Sequence, residues 1–375
     1  MKIWIVGRGV PTPENKMWGS FELEQARLLA RSGHAVTYIA LTLSFFSRND
    51  PRGTRDFTQD GVRILASSRL YFPGKLGIHL PGYESRCWGS LFRMAEDADG
   101  LPDVIHIHYP SMIGSVRVME AYRRRGVRIC ATEHWSRVLT DRLKPHERNR
   151  LAWYAQHADC LAAVSELLIN AVKKRVRVSV PTRVIPNPVS PLFFEAVAKR
   201  GQGPFTFIAV GRLTPLKQFD VIAEQFLKAF GRDAEVRLKI IGSGSERTRL
   251  EQISGGDGRV EILGALPQKE VVRQMAQADA LVSFSRYETF AVPVAEAWAC
   301  GIPAIVSDAS GIVDYVTAET GIVVPATDAQ QLCSAMHRLR EERSAYDAGQ
   351  IREYAEEHFS DRIVREQLLA MYGGI

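Results

Sequence analysis

Residues 2–41 read KIWIVGRGVPTPENKMWGSFELEQARLLARSGHAVTYIAL. The stretch opens on a short, continuous apolar run at 2–8, which is typical of a strand buried on both faces. An amphipathic segment with helical spacing follows at 19–33, and a second apolar run occupies 34–41. The stretch therefore predicts a strand–helix–strand unit, the building block of a parallel sheet.

The same alternation runs through the chain in two series. Further strands in the first half are expected near residues 62, 103, 127, 160 and 183. Those of the second half are expected at 205–212, 236–244, 260–266, 280–285, 303–308 and 321–325. The proline-flanked segment IPNPVSP lies between the series, at 185–191. We therefore predict an α/β fold with two doubly wound Rossmann-like domains, 1–188 and 192–357, and a last helix at 358–375 that packs back on the first domain.

The composition is that of an ordinary globular protein. The chain has 375 residues, of which 46% are hydrophobic and 24% charged, which excludes disordered, collagen-like and disulfide-stapled classes. It has no apolar run of about 18 residues and no opening segment typical of a signal peptide. None of the five cysteines forms a CxxC pair, so we expect reduced, buried thiols and a cytoplasmic protein.

Charge is divided unevenly between the halves. Residues 1–190 carry a net charge of +11 and residues 191–375 one of −5, within a total of +6. The basic half indicates either an anionic partner or an ordinary solvated surface. Basic runs at 123–125 and 173–177 end helix-like segments, where cations suit the helix dipole; the alternative is peripheral contact with an anionic membrane, at the inner face, or with a phosphate-bearing lipid acceptor. Apolar side chains near loops of the same half add to that reading: Leu43, Phe45, Phe46, Tyr71 and Phe72.

Two segments of the second half carry groups suited to phosphate. In AVGRLTPLKQFD (209–220) a strand ends and two cations, Arg212 and Lys217, precede a helix. Both can converge on one diphosphate. In IIGSGSERTRLE (240–251), Gly242 and Gly244 precede a helix and could let backbone N–H groups face an anion.

The segment SRYETFAVPVAEAWACGIPAIVSD (285–308) is the most informative one. Pro293 suits the first turn of a helix, so the amides just before it would be free to bind an anion. Glu288 and Glu296 flank that helix start, and they suit hydrogen bonds from hydroxyl groups of a ribose and of a sugar ring. The free amides are expected at Thr289, Phe290 and Ala291.

The spacing from Glu288 to Glu296 is an E-x7-E pattern followed by A-x-A-x-G-x-P. Together with GRLTPLK, it closely resembles the retaining glycosyltransferases of family 4, which have the GT-B fold. The resemblance covers nearly the whole chain, since other matching segments occur in the family's order: 19–36, DVIHIH (103–108), TEHWS (132–136), ADCLAAVSELL (158–168) and IPNPV (185–189). It implies two domains facing across a cleft. It also implies transfer of a sugar from a nucleotide-diphosphate sugar to a glycan or lipid-linked acceptor in polysaccharide or glycoconjugate synthesis.

The resemblance also implies roles for individual residues. Arg212 and Lys217 would neutralise the leaving diphosphate, Glu296 would hold the ribose, and Glu288 would hold the transferred sugar. His134 would form a hydrogen bond with that sugar. The remaining donor-binding residues implied are Gly19, Gly242, Thr289, Phe290 and Ala291. No cofactor and no metal are expected. The sequence does not identify the acceptor or the base of the donor nucleotide, for which uridine is slightly favoured over guanosine.

Three features depart from the family pattern. The usual Lys-Gly pair is Lys217-Gln218, and the usual Asn-Gly-Val is Asn187-Pro188-Val189. The first loop, RGVPTPENKMWGS (8–20), is longer in proline and polar residues than a Gly-Gly turn, and we interpret it as a candidate mobile segment that closes over the donor.

Two metal readings are open to the sequence. His106 and His108 share one face of a strand. They could be metal ligands or a buried, hydrogen-bonded pair of histidines, and we favour the second interpretation. Asp97-Ala98-Asp99 spells a DxD, but it follows a helical run, so we expect a solvated helix end.

Three other functions fit the sequence less well. A nucleotide-sugar epimerase needs acid/base carboxylates in the first half, where Glu133 is the one acid beside a strand end. A catalytically inactive nucleotide-sugar-binding subunit predicts losses among the four charged site residues of the second half, and all four are present. Nucleic-acid binding lacks a base-stacking aromatic motif.

Overall fold

The computed structural model describes residues 1–12, 18–44, 53–71, 80–196 and 203–373. The chain divides into two compact units. Unit 1 comprises Met1–Ile185 and Arg365–Ile375, and unit 2 comprises Pro186–Val364. The sequence places the corresponding boundaries at residues 188 and 358.

Unit 1 is built on an eight-stranded sheet. Its strands are β1 (Lys2–Gly7), β2 (Ala35–Ser44), β3 (Gly53–Gln59), β4 (Val62–Leu70), β5 (Val104–His108), β6 (Arg128–Glu133), β7 (Cys160–Ala163) and β8 (Thr182–Val184). They lie in the order β3-β4-β2-β1-β5-β6-β7-β8. Every residue of β5 and nearly all of β1 are buried, as in a sheet covered on both faces.

The edge of this sheet differs from the sequence-based expectation. Strand β3 pairs antiparallel with β4, whereas the other strands of the sheet are parallel. The sequence GTRDFTQ has few apolar residues because an edge strand needs only one protected side, and the apolar pattern therefore did not reveal it.

The described helices of unit 1 follow most of its strands. They are α1 (Ser20–Arg31), α2 (Pro81–Asp99), α3 (Val116–Arg123), α4 (Ser136–Leu139), α5 (Pro145–His157) and α6 (Glu166–Arg175). No helix in the described parts of the chain is both long and apolar enough to cross a membrane.

Unit 2 has a six-stranded parallel sheet. Its strands are β9 (Phe205–Val210), β10 (Val236–Ile241), β11 (Val260–Gly264), β12 (Ala280–Ser283), β13 (Ala304–Ser307) and β14 (Gly321–Val324). Its helices are α7 (Pro191–Phe194), α8 (Phe219–Phe230), α9 (Arg247–Ser254), α10 (Gln268–Ala276), α11 (Val292–Ala299), α12 (Ala329–Glu341) and α13 (Ala348–Phe359). The last helix, α14 (Asp361–Met371), begins in unit 2 and ends in unit 1.

The strand order decides where a ligand can bind in each unit. Unit 2 has the order β11-β10-β9-β12-β13-β14, so the direction of the winding reverses between β9 and β12. In unit 1 the reversal lies between β1 and β5. The loops that leave these strands diverge there and leave a crevice at the carboxyl ends. The predicted doubly wound α/β class is confirmed, and the reversals direct attention to the loops after β1, β5, β9 and β12.

Candidate functional site

Two loops of unit 2 bring a cation and a carboxylate together at the reversal point. Lys217 ends a short 3-10 turn, Pro215–Lys217, after β9, and its ammonium group donates to the Glu288 carboxylate in the loop after β12. The same loops are joined through the backbone, because the Arg286 amide donates to the Leu216 carbonyl over 2.9 Å. The two loops therefore lie against each other within unit 2.

The two cations of this site differ in their surroundings. Burial and the neighbouring Arg212 charge lower the pKa of Lys217 to about 8, while the contact with Glu288 opposes that shift. Arg212 is exposed, and no described residue forms an ion pair with it. A diphosphate arriving here would find one free guanidinium and one ammonium group that must leave its carboxylate.

Gln218 explains how the chain departs from the Lys-Gly pattern. Its backbone is left-handed, with φ 51° and ψ 38°, a conformation that glycine adopts at lower cost. The side chain is buried, and its Nε2 donates to the Phe284 and Ala326 carbonyls over 2.9 and 3.2 Å. Its Oε1 accepts from the Arg286 side chain. These bonds hold the Lys217 turn against the loop after β12, and no sequence signal predicted them.

The start of α11 has open backbone amides. Ala291 caps the helix in a left-handed conformation (φ 77°) without a side-chain cap, and Pro293 occupies the first turn. The amides of Phe290 and Ala291 donate to no acceptor among the described residues, as predicted. The Thr289 amide donates to the Glu288 carboxylate over 3.2 Å, so the expectation that it is free was wrong. Two open amides at a helix start suit an anion.

Glu296 lies one turn further along α11 and differs from Glu288. It is partly buried, and burial raises the pKa of its carboxyl to about 7. No donor in the described parts of the chain reaches it. A partly buried carboxyl without a hydrogen-bond partner is destabilising unless a ligand supplies donors, which fits a group that accepts from hydroxyls.

This environment predicts a pH-dependent gain in stability for Glu296→Gln. The folded-state pKa lies above that of the unfolded chain, so the cost of ionising Glu296 is absent below about pH 4.5 and complete above about pH 7. We expect the free energy of unfolding of the variant to exceed that of the wild-type protein by about 1–3 kcal/mol at pH 8 and to differ little from it near pH 4.5. Urea unfolding at both pH values measures this, with the exposed Glu224→Gln as the matched control. An equal change at both pH values would contradict it.

Gly242 serves packing rather than an open amide. A Cβ there would lie 1.8 Å from the Gly211 carbonyl oxygen, so the two loops approach closely because this residue lacks a side chain. Its own N–H donates to the Gly264 carbonyl over 2.8 Å. This one amide is therefore occupied, and the role of Gly242 in donor binding stays a prediction.

Gly19 begins α1 in unit 1 and is required by its surroundings. Its φ is 78°, and a Cβ would lie 2.0 Å from the Gly9 carbonyl oxygen. The Tyr38 hydroxyl donates to that carbonyl over 2.7 Å and is buried beneath the turn. The loop before Gly19 includes residues 13–17, which lie outside the described residues. The prediction that this loop closes over a donor concerns those residues and stays a prediction.

His134 belongs to a buried histidine cluster in unit 1, formed with His106 and His108. His134 Nε2 lies 2.9 Å from His108 Nδ1. His106 bonds to the Thr132 hydroxyl and to the hydroxyl of Tyr372, the residue after α14, each over 2.7 Å. Burial lowers the pKa of all three rings well below the usual range. The buried, hydrogen-bonded reading of His106 and His108 is what the structure contains.

Two neighbours of His134, Tyr109 and Arg8, were not predicted from the sequence. The Tyr109 ring stacks on His134 at 4.8 Å, and the Arg8 guanidinium lies 3.8 Å from the Tyr109 ring centroid. Arg8 is paired with Glu22, which is fully buried, over 2.7 Å. Arg8 and Tyr109 directly follow β1 and β5, so the rule that strands carry functional groups at their carboxyl ends could have found them.

Glu133 is fully occupied by backbone donors. Its carboxylate accepts from the amides of Ser111, His134 and Trp135 over 3.2, 2.9 and 2.9 Å, and the residue is fully buried. It positions the chain after β6 and is not placed to exchange a proton with a substrate.

The metal readings find no support in the described chain. Within it, no group of three or more histidine, cysteine, aspartate or glutamate side chains is arranged so that it could hold a metal ion. Asp97 and Asp99 lie in the last turn of α2, where Asp99 pairs with Arg63 over 2.7 Å.

The basic runs of unit 1 are partly neutralised. Arg123 and Arg124 pair with Glu120, and Arg125 pairs with Glu96. Lys173 and Lys174 are exposed at the end of α6. Of the apolar residues considered for a membrane, Phe45, Phe46 and Phe72 lie outside the described residues.

Comparison with known proteins gives two family matches. Residues 22–191 match the model described as Glycosyltransferase Family 4, and residues 204–342 match the one described as Glycosyl transferases group 1. A GDP-mannose-dependent alpha-mannosyltransferase of Mycobacterium tuberculosis is 29% identical over 85% of this chain and 82% of its own length.

Solved structures share the fold over the full length. Sucrose-phosphate synthase of Thermosynechococcus elongatus superposes with a TM-score of 0.74 at 20% identity, covering 100% of this chain and 98% of the other. The Anabaena protein HepE, solved with UDP, superposes with a TM-score of 0.74 at 16% identity and covers 100% of both chains.

Proposed function

We propose that this chain, which matches two glycosyltransferase family models and has the GT-B fold, transfers a sugar from a nucleotide-diphosphate sugar with retention of anomeric configuration. One observation carries this proposal: Lys217, Glu288 and the open amides at the start of α11 lie together at the reversal point of the unit 2 sheet. Cations and amides suit the diphosphate, and the carboxylate suits sugar hydroxyls.

In the proposed chemistry, positively charged side chains lie where negative charge develops. As the sugar leaves, negative charge grows on the nucleoside diphosphate, and Arg212 with Lys217 would stabilise it. The leaving phosphate would help to deprotonate the acceptor on the same face of the sugar, so Glu288 need not be a covalent nucleophile. His134 is proposed to donate a hydrogen bond to the transferred sugar, and Gly19 to let backbone approach the phosphate.

A panel of nucleotide sugars tests the donor. Each is added to the protein and scored for thermal stabilisation and for hydrolysis of the donor. The mannosyltransferase relative is named for GDP-mannose, and HepE was solved with UDP, so both guanosine and uridine sugars belong in the panel. Retention is then read from the anomeric configuration of the product by NMR. An inverted product would reject the retaining mechanism while leaving the donor assignment standing.

We predict that activity needs no divalent cation. In this proposal Arg212 and Lys217 supply the positive charge that a metal supplies in other transferases, so EDTA treatment should leave kcat within about twofold of the untreated protein. Activity assays with and without chelator measure this. Loss of activity that Mg²⁺ or Mn²⁺ restores would overturn it.

The competing functions have less support. An epimerase must deprotonate a ring carbon, and Glu133 is enclosed by three backbone donors. An inactive binding subunit would bind nucleotide sugar in the same panel without hydrolysing or transferring it.

The acceptor is proposed to be a glycan or a lipid-linked glycan in polysaccharide or glycolipid synthesis. Peripheral contact with an anionic membrane would rest chiefly on Lys173 and Lys174, since Arg123, Arg124 and Arg125 are paired with acids.

A further inference from the structure

The two nitrogens of the His108 ring have unequal surroundings. His108 ends β5 and is fully buried. Its Nδ1 lies 2.9 Å from His134 Nε2, whereas its Nε2 is buried and has no hydrogen-bond partner among the described residues. The hydrogen bond between the two rings contains one hydrogen, on either His108 Nδ1 or His134 Nε2. Which nitrogen carries it decides the tautomer of both rings.

Only two neutral arrangements satisfy that contact. In the first, His108 donates from Nδ1, its Nε2 is an unprotonated lone pair, and the hydrogen of His134 is on Nδ1. In the second, His134 donates from Nε2, and the hydrogen of His108 is on its enclosed Nε2. Both rings are neutral, because burial and the nearby Arg8 charge disfavour a second proton on either.

The two arrangements differ in what they leave unpaired. The second encloses an N–H donor without an acceptor, which carries the full desolvation cost and is rare in proteins. The first encloses a lone pair, a less costly loss. The geometry therefore favours donation from His108 to His134.

We propose that His108 is a positioning residue that holds His134 as the Nδ1–H tautomer, so that His134 presents an N–H donor. This rests on the proposed function for the use of that donor, which is a hydrogen bond to an oxygen of the transferred sugar. The ring is fixed in a second way, because Tyr109 stacks on it at 4.8 Å and the His134 amide is held by Glu133. His108 thus sets which atom of His134 can donate, and Tyr109 sets the plane of the ring.

The tautomer is measured on the wild-type protein without any activity assay. Histidine is labelled with ¹⁵N, and two-bond ¹H–¹⁵N correlation spectra separate protonated from unprotonated ring nitrogens. The His134 signals are identified as those that vanish in His134→Gln. We expect a protonated Nδ1 and an unprotonated Nε2 at His134. A protonated His134 Nε2 in the folded wild-type protein would overturn the proposal.

Two substitutions at His108 separate donation from packing. His108→Leu fills the space but cannot donate, whereas the side-chain amide of His108→Asn can donate from nearly the position of Nδ1. We expect the leucine variant to show mixed tautomers at His134 and about a tenfold lower kcat with KM for the donor little changed. The asparagine variant should restore the Nδ1–H tautomer and most of kcat. Equal tautomer populations in both variants would contradict the proposal.

His106→Leu is the matched control for loss of a buried histidine from β5. It removes the bonds to Tyr372 and Thr132 and leaves the contact between His108 and His134 in place. We expect lower thermal stability and an unchanged tautomer at His134; a tautomer change here would show that the state of His134 depends on general packing. If the tautomer is as proposed but His134→Gln keeps full transfer activity, the role of His134 in the proposed function fails while the role of His108 stands.

Discussion

Replacing Lys217 by alanine should lower kcat about 100- to 1000-fold. The ammonium group is placed where charge grows on the leaving diphosphate, and removing one such donor has an effect of this size in other enzymes. The loss has a second cause, because Glu288 would be left beside the phosphate without its cation. Arg212→Ala should cost about tenfold to 100-fold, since Arg212 is exposed and solvent screens part of its charge. Steady-state kinetics with saturating acceptor measure both effects.

The matched control is Lys228→Ala in the same unit. Lys228 lies in the last turn of α8, and its ammonium group bonds to the exposed Gln330 side chain, away from the reversal point. It should keep activity within about twofold, because such surface contacts contribute little. Thermal unfolding of all three variants shows whether a loss of activity reflects misfolding. Folded Lys217 and Arg212 variants with normal turnover would mean that the phosphate binds elsewhere.

The sequence predicts the doubly wound α/β fold because buried parallel strands are continuous apolar runs that need no partner to be recognised. It does not predict β3, a polar edge strand, because its pairing depends on β4 rather than on its own pattern. The site residues of unit 2 could be found from motif spacing. The contact between Lys217 and Glu288 could not be predicted, because it joins residues 71 positions apart.

Gln218 and His108 show a second limit. The sequence reveals that Gln218 stands where the family pattern has glycine, but only the structure shows the side chain bonding to two carbonyls that hold the Lys217 turn. The sequence also places His108 on one face of a strand with His106, and gives no hint that the partner of His108 is His134. Both features depend on tertiary contacts, which local propensity and spacing do not encode.

Replacing Glu296 and replacing Glu288 by glutamine should affect nucleotide binding differently. Glu296→Gln should weaken binding of the free nucleoside diphosphate about tenfold. Glu296 has no protein donor among the described residues, so hydroxyls of the ribose are its proposed partners, and an amide pairs with them less strongly than a carboxylate. The whole donor should lose a similar factor, because the same hydroxyls are present in it.

Glu288→Gln should leave nucleoside diphosphate binding unchanged or make it a few-fold tighter, while kcat falls about 100-fold. In the free protein Glu288 holds the Lys217 ammonium group, and a diphosphate must displace that contact before Lys217 can bind it. Glutamine removes the competing negative charge, so the cation becomes available, but it also removes the carboxylate proposed to hold the transferred sugar. Binding of the free diphosphate is spared because this molecule carries no sugar for Glu288 to hold. The loss therefore appears in sugar transfer, as a lower kcat.

Calorimetric titration of both variants and the wild-type protein with UDP and GDP decides between these outcomes. The exposed Glu224→Gln on α8 is the control for loss of one negative charge from unit 2, and it should bind as the wild-type protein does. If Glu288→Gln loses diphosphate affinity as severely as Glu296→Gln, then both carboxylates act through the nucleotide. In that case the assignment of Glu288 to the sugar is wrong, and its contact with Lys217 has to be understood as part of the phosphate site itself.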